Sequence, residues 1–315
     1  MRGLRPYGAL ALVACAVLGG AAVWMGGLNQ DEGWYLYAAN LVADGQMPYR
    51  DFAFTQGPVL PFVYSAFTGI WKAGGLLGAR LFTLALGLVG ILFAAGLARR
   101  FVADDRRDEA ALIVFFLLAT NLYHLYYLAI PKTYALAGLF VIVGFYLLTF
   151  ARAHAAAVFG AGLCLACAAG TRISLGALLP VVGVGLLAQR RWSAFALFGL
   201  GGFGGLALVY GPFLLDAGAR AGLLAAQAYH AGRGGFDLTW TVGSLSRLVR
   251  WYLPVFLVLG LGGFRRARLL LAAFLAVFAV QMLAPFPYED YQVPILSLLA
   301  VFAAVNFVSQ TTCPA

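Results

Sequence analysis

Long apolar runs, separated by short polar or basic segments, dominate the chain. Each run is roughly 16 to 24 residues long, the length that an α-helix needs to cross a hydrocarbon core about 30 Å thick. The pattern predicts an all-α polytopic membrane protein with about ten transmembrane helices. The predicted spans are residues 7–27, 80–98, 110–127, 133–150, 155–170, 173–189, 192–215, 246–263, 269–286 and 292–309.

The segment 58–72, PVLPFVYSAFTGIWK, is ambiguous. It is apolar, but its length of about 15 residues is more typical of an interfacial or buried helix than of a span. If it lies on the membrane surface, ten spans put both termini and every basic cluster in the cytoplasm, as the positive-inside rule requires. Those clusters are Arg2 with Arg5, Arg99 with Arg100, Arg106 with Arg107, Arg152, Arg190 with Arg191, and Arg265 with Arg266 and Arg268.

Two other topologies satisfy only part of this pattern. If residues 58–72 cross the membrane while the N-terminus stays inside, the basic clusters from Arg99 onward fall outside, against the rule. If residues 58–72 cross the membrane and the N-terminus lies outside, those clusters return to the cytoplasm, but Arg2 and Arg5 are misplaced and Asp31 becomes cytoplasmic. We therefore expect the first topology, a multi-pass protein of the cytoplasmic membrane with residues 28–79 as one large external loop.

The external loop is predicted to carry two surface helices. Trp34, Tyr37 and Leu41 recur at helical spacing within residues 31–43, and Gly45 is a typical helix stop. Residues 58–72 form the second, more apolar helix. No internal repeat or low-complexity linker divides the sequence, so we expect one domain over residues 1–315, with the loop 28–79 as an active-site platform.

Composition agrees with a membrane protein. Of the 315 residues, 63% are hydrophobic and 10% are charged, whereas about a quarter of the residues in a soluble protein are charged. The net charge of +9 would by itself suit a nucleic-acid partner. Because the basic residues lie in short clusters between apolar runs, we expect the lipid bilayer as a partner and no nucleic acid.

The first external loop resembles that of the GT-C superfamily of membrane glycosyltransferases. The residues that carry the resemblance are the pair Asp31-Glu32, an aromatic-rich helix, a Gly-x-x-Pro-Tyr-x-Asp turn over residues 45–51, and a proline-containing apolar helix after Gly57-Pro58. The resemblance is to the branch with protein O-mannosyltransferases and aminoarabinose transferases. GTRISLGALLP at 170–180 and YEDYQVPILSLL at 288–299 are weaker matches, and Gln56-Gly57-Pro58 departs from the basic residue and two prolines of many members.

This resemblance implies the transfer of a sugar from a polyprenyl-phosphate-linked donor at the outer face of the membrane, with inversion at the anomeric carbon. An acceptor hydroxyl must then lose a proton to a carboxylate as it attacks. Asp31 is the expected base, with Glu32 and Asp51 as further catalytic candidates. Alternatively, Asp31 is only the N-cap of the surface helix, which aspartate does well, and Asp51 is an acid of the turn.

The leaving lipid phosphate needs nearby cations, which arginine and lysine supply. The candidates at the outer face are Arg80, Lys132 and Arg172. For Arg80 the alternative is a structural ion pair with a loop acid, and for Arg172 it is a hairpin tip that snorkels to the interface. The residues expected to line the substrate cavity are Trp34, Tyr35, Tyr49, Gln56, Tyr288 and Tyr291, although an interfacial aromatic belt also accounts for Tyr288 and Tyr291.

No cofactor is required by this chemistry and no metal site is predicted, although the acids Asp31, Glu32 and Asp51 are of the type that binds a divalent metal. The acceptor is an envelope glycan, lipid or protein. Two alternatives from other classes are a secondary transporter or lipid flippase, for which charges within spans and an inverted repeat are expected, and a non-catalytic member of the same fold.

Overall fold

A computed structural model describes residues 5–232 and 234–310, and this part of the chain is built from α-helices without a β-strand. Arg2 of the first basic cluster and the side chain of Arg5 lie outside what is described. The helices are α1 Arg5–Met25, α2 Gln30–Ala43, α3 Val59–Ser65, α4 Thr68–Arg99, α5 Arg107–Ala119, α6 Leu122–Ala129, α7 Thr133–Leu148, α8 Ala155–Thr171, α9 Leu178–Ala188, α10 Trp192–Leu215, α11 Ala217–Ala231, α12 Leu238–Trp251, α13 Leu253–Gly262, α14 Arg268–Met282 and α15 Val293–Gln310, with 3₁₀ turns at Asp104–Arg106, Ile173–Ala177 and Glu289–Gln292.

Helices occupy all ten positions that the apolar runs predict. Four of them, α1, α4, α10 and α15 with its preceding 3₁₀ turn, are long and apolar enough to cross a membrane by themselves. Two bent pairs, α5–α6 and α12–α13, raise the number to six among the described residues. The remaining four positions hold shorter apolar helices: α7, α8, α9 with its 3₁₀ turn, and α14.

Two predicted spans, 110–127 and 246–263, are not continuous helices. The first bends by 70° between α5 and α6 and the second by 80° between α12 and α13. The side chain of Asn121 explains the first break, because its Oδ1 accepts a hydrogen bond from the backbone N of His124 (3.0 Å) and caps α6. Its Nδ2 also donates to the carbonyl of Trp251 at the end of α12 (2.9 Å), so the two breaks lie against each other.

The loop 28–79, whose external position stays a prediction, contains the predicted first helix, which is α2. Gly45 ends it with φ +85°, a backbone conformation that favours glycine. The second predicted helix, 58–72, is wrong as one element: α3 stops at Ser65, and α4 starts at Thr68 and breaks at Gly75 (φ 57°). Aromatic side chains of these segments, including Tyr64 and Trp71, pack with residues of α2 and α11 into a small second core.

The basic clusters gather at one end of the bundle. The guanidinium of Arg100, after α4, lies 4.5 Å from the ring centre of Phe150, after α7. Nη1 of Arg266, between α13 and α14, donates to the carbonyl of Phe101 at 3.3 Å. The loops between these helices therefore share one face, as the positive-inside pattern predicts. That this face is cytoplasmic stays a prediction, as does the single-domain assignment.

Helices α8 and α10 run parallel and touch through their backbones. A methyl group on Gly162 would lie 2.3 Å from the carbonyl oxygen of Phe198, and one on Gly205 would lie 2.6 Å from Cβ of Ala166. Further along, the hydroxyl of Tyr210 donates to the carbonyl of Ala169 (3.2 Å). Since contacts progress in the same direction along both helices, their N-termini lie at the same end.

Two neighbouring glycines of α10 test this packing. A methyl group at Gly201 would lie 2.1 Å from the carbonyl oxygen of Phe159, whereas one at Gly199 would meet nothing within 4 Å. We expect Gly201→Ala to destabilise the protein by about 1–3 kcal/mol through overpacking, while Gly199→Ala leaves it unchanged or slightly more stable, since alanine is the better helix former. Thermal unfolding of both variants in detergent measures the difference, and equal shifts would contradict the backbone contact.

Candidate functional site

At the N-terminus of α2, the side chain of Glu32 takes part in capping the helix, whereas that of Asp31 does not. Asn29 is the N-cap: its Oδ1 accepts from the backbone N of Asp31 (3.0 Å), and its own backbone N donates to Oε1 of Glu32 (2.9 Å). This reciprocal arrangement is a capping box. The alternative that Asp31 is the cap is therefore wrong, and the Asp31 carboxylate is not engaged in capping.

Arg80 of α4 holds the start of this helix. A guanidinium has five N–H groups, and hydrogen bonds use all of them. Nε and Nη2 donate to the two carboxylate oxygens of Glu32 (2.8 and 2.6 Å). The other three bonds go to the carbonyls of Val23, Gly26 and Gly27 at the end of α1 (3.0–3.1 Å).

The buried Arg80–Glu32 pair lies outside the cavity, with the two side chains only 7% and 1% exposed. With its N–H groups occupied, Arg80 has no donor left for a lipid phosphate, so the prediction of phosphate binding does not fit this geometry. The predicted catalytic role of Glu32 does not fit either, because both of its oxygens accept from the guanidinium. The structural ion pair considered as the alternative is what is observed.

A cavity of about 820 Å³ lies beside the N-terminus of α2. Its wall joins the external loop to the starts of α7 and α15, the end of α8, and α11. Most of the predicted site residues meet here although they are far apart in sequence. The predicted residues that line it are Asp31, Trp34, Tyr35, Tyr49, Gln56, Lys132, Arg172, Tyr288 and Tyr291.

Lys132 connects two acids in the wall of this cavity. Its Nζ lies 2.7 Å from Oδ2 of Asp31 and 3.9 Å from Oδ2 of Asp290. Asp290 also accepts a hydrogen bond from the hydroxyl of Tyr134 (2.6 Å). The Asp31 side chain is 36% exposed, whereas the side chains of Lys132 and Asp290 are 12% and 11% exposed. Of the two acids, Asp31 is therefore the one more accessible from the cavity.

Arg172 is a second cation in the cavity wall. Its guanidinium lies 5.0 Å from the ring centre of Tyr134 and 4.8 Å from that of Tyr291, within the range of cation–π attraction. Nη1 donates to the hydroxyl of Thr133 at 3.2 Å. No carboxylate lies within 4 Å of it in residues 5–232 and 234–310. Aromatic faces therefore make the direct contacts with its charge, and Asp290 attracts it only from a longer distance.

Aromatic residues of the external loop form another part of the wall. Trp34 stacks on Phe54 with ring centres 4.8 Å apart. Tyr49 has a left-handed backbone (φ 67°), and its hydroxyl donates to the carbonyl of Gln56. Burial raises the pKa of Tyr35 and Tyr49 well above the usual value for a phenol. Both side chains are therefore neutral at physiological pH.

Asp51 is not part of the cavity. Its carboxylate accepts from the backbone N of Met47 (2.7 Å) and pairs with Arg50 (2.9 Å) in the exposed turn. The hydrogen bond from Arg50, and then that from Met47, lower its pKa below the usual range. A carboxylate with a lowered pKa is a weaker base. The alternative of a turn acid therefore describes Asp51 better than the predicted catalytic role.

Sequence reasoning missed several cavity residues, among them Asp290, His230 and Gln281. Asp290 lies within the YEDYQ segment, but only its two tyrosines were predicted to line the cavity. His230 of α11 donates from Nε2 to the carbonyl of Thr55 (2.7 Å), which attaches α11 to the loop. Gln281 of α14 donates to Oγ of Ser174 (3.1 Å), while its Oε1 is buried without a partner. The charge of Asp290 at the start of an apolar run was the available signal.

Metal ligation by the protein has no obvious place in the described part of the chain. No three His, Cys, Asp or Glu side chains gather there in an arrangement that holds an ion. Asp31 and Asp290 approach the same point, but the ammonium of Lys132 occupies it. That the chemistry requires no cofactor stays a prediction.

Comparison with solved structures identifies the architecture. Two crystal structures of ArnT from Cupriavidus metallidurans, one bound to undecaprenyl phosphate and one in the apo state, superpose on 96% of this chain with TM-scores of 0.71 and 0.72. The chain has the GT-C fold of ArnT. This confirms the fold class expected from the external loop, at 18% sequence identity to ArnT.

The ArnT fold extends beyond this chain. The superposition covers 60% of the ArnT chain. No protein-family model matches the sequence, and no curated protein matches it either. The comparison therefore establishes the fold and not the activity.

The buried ion pair yields a prediction for stability. Glu32→Gln leaves the Arg80 charge buried without a counter-ion, and breaking such a pair costs about 3–5 kcal/mol. We expect a large fall in the thermal unfolding midpoint in detergent, and partial recovery when Arg80→Gln removes the orphaned charge. The matched control is Asp51→Asn, which removes an acid from the exposed turn of the same loop. A Glu32→Gln variant as stable as Asp51→Asn would show that the pair does not hold α1, α2 and α4 together.

Proposed function

We propose that this chain is a membrane glycosyltransferase that takes a sugar from a polyprenyl-phosphate-linked donor. The observation that carries the proposal is the group of Asp31, Lys132 and Arg172 in one cavity wall. It combines a cavity-accessible carboxylate with two cations, of which one, Arg172, forms no ion pair within 4 Å among the described residues. The shared fold with ArnT, one structure of which holds undecaprenyl phosphate, supports a lipid phosphate as the ligand.

The donor phosphate binds at Lys132 and Arg172. Phosphate oxygens form strong charge-assisted hydrogen bonds with ammonium and guanidinium groups. Arg172 is available without breaking an ion pair, whereas Lys132 is shared with Asp31 in the absence of a ligand. A bound phosphate therefore competes with Asp31 for the ammonium. Donor binding frees the carboxylate, so that the base is released only when the donor is in place.

Asp31 acts as the general base in a single displacement. The acceptor hydroxyl transfers its proton to the Asp31 carboxylate while its oxygen forms a bond to the anomeric carbon. The bond from that carbon to the phosphate oxygen breaks, and the electron pair leaves with the lipid phosphate. Lys132 and Arg172 stabilise the negative charge that develops on the leaving group. Attack opposite the leaving phosphate inverts the configuration of the sugar.

The position of the charges distinguishes this proposal from a transporter. A transporter is expected to place ionisable side chains within its spans, near the bilayer midplane. Here Lys132 precedes the first residue of α7, Arg172 follows the last residue of α8, and Asp31 lies at the start of α2. The three charges thus lie at helix ends, where a donor with its phosphate at the membrane surface presents the reactive carbon. The outer face of the cytoplasmic membrane, and an envelope glycan, lipid or protein acceptor, remain part of the proposal.

The role of Asp31 is tested by Asp31→Asn. The amide cannot accept the proton, so we expect sugar transfer to fall by about 10²–10⁴-fold, while binding of undecaprenyl phosphate is kept. The measurement is release of undecaprenyl phosphate from a panel of undecaprenyl-phosphate-linked sugars by the purified protein in liposomes. Asp44→Asn, an exposed acid at the other end of α2, is the matched control. Transfer by Asp31→Asn at the control rate would exclude Asp31 as the base, and no transfer by the unaltered protein with any donor or acceptor tried would favour a non-catalytic member of the fold.

The phosphate contacts are tested by binding alone. We expect Lys132→Gln and Arg172→Gln each to weaken binding of undecaprenyl phosphate about tenfold or more, as is typical for the loss of a charge-assisted hydrogen bond. Native mass spectrometry of the detergent-purified protein gives the bound fraction at each lipid concentration. Lys72→Gln removes an exposed lysine from the start of α4 and serves as the control. Equal binding by all three variants would place the phosphate elsewhere.

A further inference from the structure

A second cavity, of about 690 Å³, lies between the α7–α8 loop and the α9–α10 loop. We call it the arginine pocket. Half of the residues that line it are alanine, valine or leucine, including Val158 and Leu197. The other half are Arg152, His154, Arg190, Arg191, Trp192 and Ser193.

The arginine pocket is at the opposite end of the bundle from the large cavity. Lys132 in the cavity wall directly precedes α7, and Arg152 in the pocket follows shortly after the end of α7. The 16 residues of α7 span about 24 Å at 1.5 Å per residue. This is close to the thickness of a hydrocarbon core, about 30 Å. The two sites therefore open to opposite faces of the membrane.

The arginines of this pocket have no acidic partner among the described residues, as Arg265 and Arg268 have none, whereas Arg99 and Arg107 have one. On the same face, Arg99 pairs with Asp108 at 3.0 Å and Arg107 pairs with Asp104 at 2.8 Å. By contrast, no carboxylate of the described residues lies within 4 Å of Arg152, Arg190 or Arg191. Three cations line one cavity without a counter-ion among the described residues.

Two helix N-termini add to this positive potential. His154 is the N-cap of α8 and Arg191 is the N-cap of α10, and neither helix has a side-chain hydrogen bond at its cap. Because α8 and α10 are parallel and in backbone contact, both N-termini reach the pocket. Each carries the partial positive charge of a helix dipole and unsatisfied N–H groups. Such an N-terminus binds anions, phosphate in particular.

Arg190 has a backbone conformation that glycine or asparagine usually adopts. Helix α9 ends with the N of Arg190 bonded to the carbonyl of Leu187 (2.8 Å) and the N of Arg191 bonded to that of Leu186 (3.0 Å). This pattern places Arg190 in the left-handed conformation (φ 55°), where glycine or asparagine is usual. A glycine at residue 190 would end α9 more easily. The arginine adds a cation to the pocket instead.

We propose that the arginine pocket binds a phosphate group, supplied either by the headgroup of an anionic phospholipid or by a free phosphate in solution. The guanidinium groups of Arg152, Arg190 and Arg191 match phosphate oxygens in charge and geometry. The N–H groups at the start of α10 donate to the same anion. The indole of Trp192, which is 67% exposed at the rim, is of the type that lies at a membrane–water interface.

The test compares two phosphate sources on the full-length protein. Purified protein in phosphatidylcholine nanodiscs is titrated with dioleoylphosphatidylglycerol, and native mass spectrometry measures the bound lipid. A separate titration uses radiolabelled inorganic phosphate. We expect Arg152→Gln and Arg191→Gln each to weaken binding of the effective probe by about tenfold or more. Arg265→Gln removes an exposed arginine on the same face, outside the pocket, and is expected to bind as the unaltered protein does.

A variant of opposite sign separates binding from folding. Ser193→Asp places a carboxylate in the first turn of α10, where it interacts favourably with the helix dipole and with the arginines. We expect this variant to lose the probe and to have a higher thermal unfolding midpoint than the unaltered protein without anion. A loss of binding with a raised midpoint cannot be attributed to misfolding.

The outcomes are distinct. Loss of bound phosphatidylglycerol in the pocket variants assigns the site to a phospholipid, and the same dependence for inorganic phosphate alone assigns it to a soluble phosphate. Absence of binding by either probe would overturn the proposal. So would equal binding by Arg152→Gln, Arg191→Gln and Arg265→Gln. Binding that depends on Lys132 and is indifferent to Arg152 belongs to the large cavity and would overturn it too.

Discussion

The guanidinium of Arg80 makes five hydrogen bonds, and the geometry of the large cavity depends on them. Two go to Glu32 and three to carbonyls at the end of α1, so one side chain of α4 fixes the end of α1 and the start of α2. A buried guanidinium with an unpaired N–H or without its counter-ion would be costly. The Arg80 charge is therefore tolerated only when α1 and α2 are both in place. Because Asp31 directly precedes Glu32, the same contacts set the position of Asp31.

That position matters because neighbouring acids on a helix point in different directions. Glu32 turns inward to Arg80, whereas Asp31 faces the cavity and reaches Lys132 at 2.7 Å. Lys132 also approaches Asp290 at the start of α15. The ammonium of Lys132 thus joins the loop 28–79 to the bundle. It does so at the site proposed for the donor phosphate. In the proposed reaction, this ion pair makes the base dependent on the donor.

Cations have different environments at the two ends of the bundle. At the cavity end, Arg172 lies between the rings of Tyr134 and Tyr291, which hold it without neutralising it. At the other end, the arginine pocket faces two parallel helix N-termini, whose close packing through Gly162 and Gly205 requires the absence of side chains there. In both places the fold keeps an arginine side chain with no carboxylate of the described residues within 4 Å, which favours binding of an anion from outside the chain.

The sequence by itself determined what depends on local pattern. Hydropathy located the apolar helices because burial in lipid is a property of each segment, and helical spacing with Gly45 located α2. The resemblance of the first loop indicated Asp31 as the base, and the predicted topology indicated Lys132 and Arg172, together with Arg80, as phosphate contacts. Only the tertiary structure decided how the charges pair: Glu32 and Arg80 are 48 positions apart, and nothing local to either indicates a bond between them. The helix breaks at Asn121 and Tyr252 also depend on side chains that meet only after the helices have packed. The same is true of the contact between Asp290 and Lys132.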